Sequence, residues 1–170
     1  MEKFLRIIDG ASVWTGKIAS FLVVVLVVAI GYDITVRYLF AIPNQWAYDS
    51  TYMLYGSYTM LGAAYCHKEH GHVRMDLLYG KLSQRGKAIT DVICYLLLFF
   101  PLFSVLLYKC GENAYWSLLH GERSSASVWR PYMAPFKLSI VFGIFLFYLQ
   151  GIAEFIRALT VAIKGERHDT

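Results

Sequence analysis

The sequence predicts an all-α integral membrane protein, and three observations carry that prediction. Four apolar runs of about 20–24 residues recur along the 170-residue chain, each long enough to cross a ~30 Å hydrocarbon core as a helix. Hydrophobic residues make up 57% of the chain and charged residues only 16%, against roughly a quarter charged in a soluble domain. Mean hydropathy is +0.46, and 13 Tyr, 11 Phe and 4 Trp add large apolar surface that a soluble fold of this size would leave exposed. In lipid every backbone N–H and C=O needs an internal partner, so runs this long are helices. The chain therefore reads as a single membrane domain, residues 1–170, with four spans.

The elements follow in order. In residues 1–17, Phe4, Ile7, Ile8, Ala11 and Trp14 fall at helical spacing, with Glu2, Lys3, Arg6 and Asp9 on the other face. That pattern predicts an amphipathic helix in the membrane interface; a plain extension of the first span into the cytoplasm is the alternative. The first span covers residues 18–40 and is too long for a signal peptide, with no small-residue cleavage site after it, so it is expected to be retained. A tight turn, Ala41-Ile42-Pro43-Asn44-Gln45, leads into the second span, residues 46–65. This is the most polar span, carrying Asp49, Ser50, Thr51, Ser57 and Thr59, and is expected to face protein more than lipid. The third span covers 88–108, with Pro101 expected to kink it, and the fourth covers 133–156.

Lys and Arg set the orientation. One side holds Lys3, Arg6, Lys17, Lys68, Arg74, Lys81, Arg85, Lys87, Arg157, Lys164 and Arg167; the other holds Arg37, Lys109, Arg123, Arg130 and Lys137. Eleven against five places both termini and the middle loop in the cytoplasm, with residues 110–132 outside. Trp46, Tyr48, Trp116, Trp129 and Tyr132 would form the outer aromatic belt, with Trp14 and Tyr65 at the inner one.

Ionisable groups within spans are costly and are the first functional candidates. Asp33 and Arg37 lie four apart and can pair along one helix face. Arg37 and Asp49 each lie six residues from Pro43, so a hairpin turning there would bring them to one depth. An Arg37–Asp49 contact is therefore expected, either as a proton or ion relay or as a structural clamp. The shallow depth favours the clamp. Asp91 is read in the first turn of the third helix, where the dipole favours an anion, and Glu154 as structural. On the fourth span Gly143, Phe147, Gln150, Gly151 and Glu154 share a face suited to close contact with another helix.

Two polar stretches remain. Cys66, His67, His70 and His72 are potential metal ligands, but their spacing fits no strong zinc pattern, and the loop is expected to pack under helix ends and meet lipid headgroups. The outer stretch with Glu122, Arg123, Trp129 and Arg130 combines charge, hydroxyls and an aromatic; it suits a docking partner or an ordinary connecting loop. Cys66, Cys94 and Cys110 form no CxxC, and no phosphate-binding loop or enzymatic triad is present. No enzyme activity, cofactor, metal or nucleic-acid partner is expected.

In order and spacing, several short motifs resemble the small membrane subunit, the DctQ-like Q component, of tripartite ATP-independent periplasmic (TRAP) transporters. They are Arg37-Tyr38-Leu39-Phe40, Trp46 with Asp49, Leu61-Gly62-Ala63-Ala64-Tyr65, and His72-Val73-Arg74-Met75-Asp76. The last would make His72, Arg74 and Asp76 a cytoplasmic loop motif. The family usually has Glu where this chain has Asp49, and the shorter carboxylate would loosen the expected pair. The resemblance implies a bacterial inner-membrane transporter, driven by sodium, that imports an organic acid such as a C4-dicarboxylate or sialic acid. It implies two partners, a large membrane subunit (M component) that holds the transport sites and a periplasmic substrate-binding protein (P component), besides membrane lipids. The small subunit would brace the large one and help dock the binding protein. A self-sufficient four-helix homodimeric exporter and a membrane anchor of a respiratory enzyme remain the alternatives.

Overall fold

The computed structural model describes residues 2–42, 44–69 and 84–164. It contains α1 (Glu2–Phe40), α2 (Ala47–Lys68), α3 (Gln84–Cys94), a π-helical turn (Tyr95–Phe99), α4 (Phe100–His120) and α5 (Ala134–Lys164). No strand occurs among the described residues beyond one isolated antiparallel bridge, Arg123 to Tyr132. Three helical stretches are long and apolar enough to cross a membrane: Leu5–Phe40, Arg85–His120 and Ala134–Ile163. The shorter α2 carries Asp49, Ser50, Thr51, Ser57 and Thr59, and it is not among the three.

The helices form a row in which α5 is shared. On one side α1 runs antiparallel to α2, with Gly16 under the Tyr65 ring, Gly62 facing Ala19, and Tyr32 stacked on Trp46 at 5.9 Å. Next, α2 runs parallel to α5. There Gly56 lies under the Phe136 ring, the Ser57 and Ser139 hydroxyls bond at 2.8 Å, and Gly143 lies against the Met60 backbone. On its other side α5 meets α3, the π turn and α4, with Gly151 under Phe99 and Ser104 bonded to Tyr148 at 3.1 Å. One end of the row holds the turn at 45–46 and the 121–133 loop. The opposite end holds the start of α1 and the ends of α2 and α5.

Several helix limits differ from those read in the sequence. Residues 2–17 and 18–40 are one uninterrupted helix. Ile8, Ser12, Thr15 and Ala19 supply a continuous buried face across the expected boundary, and no breaker interrupts it. The third helical stretch starts at Gln84, so Asp91 lies beyond its first turn. It also continues to His120, twelve residues past the expected end. Lys109 and Glu112 pair one turn apart at 2.8 Å, and the first breaker is Gly121 in the left-handed conformation (φ 58°). The Glu122 N–H then bonds back to the Ser117 carbonyl at 3.2 Å, the usual closure for a helix ending on such a residue.

Pro101 acts through a π turn. It lacks the N–H that would bond Leu97 and its ring crowds that carbonyl. The chain answers with a wider turn just before it, in which the Phe100 N–H reaches the Tyr95 carbonyl five residues back. The turn gathers Tyr95, Phe99 and Phe100 against Phe147, Tyr148 and Phe155 of α5, and the His67 ring stacks on Phe99. The His67 Nε2 and Tyr95 hydroxyl lie 3.0 Å apart.

Candidate functional site

The most structured polar site is at the loop end of the row. Asp49 sits in the first turn of α2, where the helix dipole favours its charge, and is only 2% exposed. Its carboxylate accepts hydrogen bonds from the Ser124 hydroxyl at 2.9 Å and from the Ser127 hydroxyl. Ser124 is itself buried and its hydroxyl accepts the Ala126 N–H at 3.2 Å. The loop closes by backbone bonds from Ser124 N–H to the Pro131 carbonyl (2.9 Å) and from Met133 N–H to the Glu122 carbonyl (3.0 Å). Asp49 is therefore a latch that fixes the loop on α2.

Lys137, in the first turn of α5, adds a second tie. Its ammonium donates to the Glu122 carboxylate and to Asn113 Oδ1 of α4 at 2.7 Å. That hydrogen bond from Lys137 holds the Glu122 carboxyl below the usual carboxylate range, against an opposing contribution from burial. A depressed folded-state pKa gives stabilisation that is present above the unfolded value of ~4.3 and is lost as pH falls through the folded value. Corrected amide protection at Met133 should thus be flat near neutrality and fall on acidification below about pH 4. In Glu122→Gln the acid-induced fall should be smaller.

The loop residues singled out from the sequence are ordered by these ties. Glu122 belongs to the Lys137 tie, and the Arg123 guanidinium lies over the Tyr132 ring at 5.0 Å. Trp129 and Arg130 are exposed beside Val128, which is 79% exposed, and Arg130 has a left-handed φ of 47°. The loop thus presents an apolar and basic tip on a fixed base.

The expected Arg37–Asp49 contact is not formed. Arg37 donates to Asp33 at 2.7 Å along its own helix, whereas the carboxylate of Asp49 faces the loop serines. The physical reason is supply: the 121–133 loop folds back over α2 and satisfies Asp49 with hydroxyls, leaving Arg37 to its neighbour one turn away. A relay through Arg37 and Asp49 therefore has no path in this structure.

The face of Gly143, Phe147, Gln150 and Gly151 is used within the chain. Gly143 meets α2, Phe147 packs on His67, Phe99 and Phe103, and Gly151 meets Phe99. Gln150 is fully buried; its side-chain oxygen accepts from Ser12 at 2.8 Å and its amide donates to Asp9 at 3.1 Å. Arg157 bonds both Asp9 and Glu154, so a polar chain joins the first turns of α1 to the later turns of α5. Sequence reading named Gln150 and Glu154 but missed Ser12, Asp9 and Arg157 as their partners. His72, Arg74 and Asp76 lie outside the described residues, as do His70 and the rest of the potential metal stretch beyond Glu69. Among the described residues no group of three metal-ligating side chains occurs.

Polar side chains thus concentrate at the two ends, with single hydroxyl pairs between. Against this geometry, the family described as tripartite ATP-independent periplasmic transporters, DctQ component, matches residues 26–161 of the 170. The chain belongs to the DctQ family. It is therefore a membrane component of a TRAP transporter, and that family is a transporter component and not an enzyme family. The DctQ match includes the Asp49 latch, the 121–133 loop and the α5 half of the buried polar chain, while Asp9 and Ser12 precede it. No curated protein and no solved structure matches the chain at a significant level.

Proposed function

We propose that this DctQ component is the bracing subunit of a sodium-driven, binding-protein-dependent importer of an organic acid, with no solute path of its own. The observation that carries the reading is the placement of charge. Among the described residues the buried ionisable side chains are Asp49 and Glu154, each near one end of the row and each already held by hydrogen bonds. A transport path needs polar groups near the middle of the bilayer, commonly on interrupted helices. Between the ends of this row, Ser57–Ser139 and Ser104–Tyr148 simply join neighbouring helices.

In this reading α2 is the fourth span, the termini are cytoplasmic by the Lys/Arg asymmetry, and the loop end faces the periplasm of a bacterial inner membrane. The large M subunit covers part of the exposed apolar surface of α1 or of α3 and α4. The substrate, a C4-dicarboxylate, sialic acid or a related carboxylate, is chosen by the other subunits. The loop tip takes part in docking the substrate-binding protein. Arg130 is the clearest probe, because its side chain has no ion pair among the described residues while Arg123 is engaged with Tyr132. Arg130→Glu should raise the binding-protein concentration needed for half-maximal uptake by roughly five- to tenfold, the scale of one interfacial charge reversal. Uptake that is unchanged at every binding-protein concentration would remove the loop tip from the docking surface.

A further inference from the structure

Residues 3–21 of α1 carry a surface that nothing among the described residues covers. Lys3, Arg6, Ile7, Gly10, Trp14, Lys17 and Phe21 recur at helical spacing, and all are exposed. Ile7 is 70% and Trp14 66% exposed. The opposite face, with Ile8, Ser12, Thr15 and Ala19, is the buried one. Lys3, Arg6 and Lys17 make no ion pair among the described residues. Asp9, an acid close to them in sequence, is turned to Arg157 and Gln150. A basic and aromatic strip is thus left over, and it precedes the residues that match the family.

Length says where the strip lies. The 39 residues of α1 rise about 58 Å, nearly twice the ~30 Å hydrocarbon core. An upright helix with Phe40 at one boundary would leave the strip in water, with Ile7 and Trp14 hydrated on it. Tilting the helix toward its exposed face lays those side chains on the headgroup layer and brings the three cations to the phosphates. Trp favours that boundary, and long basic side chains reach across it.

We propose that this face of α1 is a binding surface for anionic phospholipid. Lys3, Arg6 and Lys17 engage headgroup phosphates, and Trp14 and Ile7 enter the boundary with the acyl chains. The partner is assigned by charge: three cations without an ion pair among the described residues, beside an exposed Trp and Ile, match an anionic bilayer surface, where each such cation strengthens binding about fivefold. The inference needs only that α1 spans a bilayer, and it stands or falls apart from the transporter assembly.

The test uses the full chain, with Trp46, Trp116 and Trp129 replaced by Phe, in nanodiscs of three parts phosphatidylcholine to one part phosphatidylglycerol. Bromine is carried on the acyl chains of one lipid or the other. Quenching of Trp14 by brominated phosphatidylglycerol should exceed its mole-fraction share by about two- to threefold, fall toward that share in high salt, and reach it in Lys3→Gln/Arg6→Gln/Lys17→Gln. Phosphatidylglycerol retained by the unaltered tryptophan background through detergent extraction, read by native mass spectrometry, should drop in the same triple variant. Quenching in proportion to mole fraction would overturn the proposal. So would a Trp14 that neither lipid quenches, the result expected if water or an acidic protein segment covers the strip.

Discussion

Asp49→Ala should free the 121–133 loop from α2 and lower stability by about 2–4 kcal/mol. Two hydrogen bonds to a carboxylate are lost, each worth roughly 1.5–3 kcal/mol, and relaxation of the loop recovers part of that. The cost is high because Ser124 is buried and keeps an unsatisfied hydroxyl when its acceptor is removed. Asp49→Asn should cost less, since the amide oxygen still accepts one serine. Arg37→Ala should leave the loop untouched, because among the described residues Arg37 bonds only Asp33. Hydrogen exchange at Ser124 and Met133 reads the loop directly, and a denaturation series in detergent reads the stability. Equal effects of Asp49→Ala and Arg37→Ala would show that the carboxylate is serving α1 and not the loop.

Gly143→Ala should be the most damaging of the small substitutions on α5. A Cβ there would lie 2.7 Å from the carbonyl carbon and oxygen of Met60. Backbone cannot rotate aside as a flexible side chain does, so α2 and α5 must separate along a shared seam. Overpacking of this kind costs about 1–3 kcal/mol, and backbone obstruction places it at the upper end. Gly151→Ala meets the Phe99 ring, and that ring is itself hemmed in by Phe103 and Phe147. Gly10 is the control: nothing lies within 4 Å, so Gly10→Ala should be neutral or gain up to about 1 kcal/mol of helix propensity. Thermal unfolding of the three variants in one detergent ranks them. If Gly143→Ala proved as benign as Gly10→Ala, the close approach of α2 and α5 would be wrong.

Much of the architecture could be read from hydropathy, because the bilayer forces apolar runs of this length into helices. Helix ends were less legible. Residues 109–120 look like a loop by polarity, yet Lys109 and Glu112 pair one turn apart, and the chain stays helical until Gly121. Pro101 announced a disturbance without saying that a π turn would absorb it. The candidate site divided the same way. Asp33 and Arg37 are local partners, four residues apart, and spacing alone brings them together. Asp49 finds its partners 75 and 78 residues away, and Gln150 finds Ser12 across 138. No periodicity carries such pairs; they emerge when helices pack and the loop folds back. The serine-rich composition of 124–127 was the one available hint that a carboxylate could be capped there without a cation.

The central claim is that this DctQ component supports transport without conducting solute. The most direct measurement is uptake of a candidate organic acid into liposomes under an inward sodium gradient, with three preparations compared. The chain alone should give the rate of empty liposomes. The large subunit and binding protein without the chain should give little uptake, and all three together should give gradient-dependent accumulation. Uptake by the chain alone, or full uptake in its absence, would contradict the account.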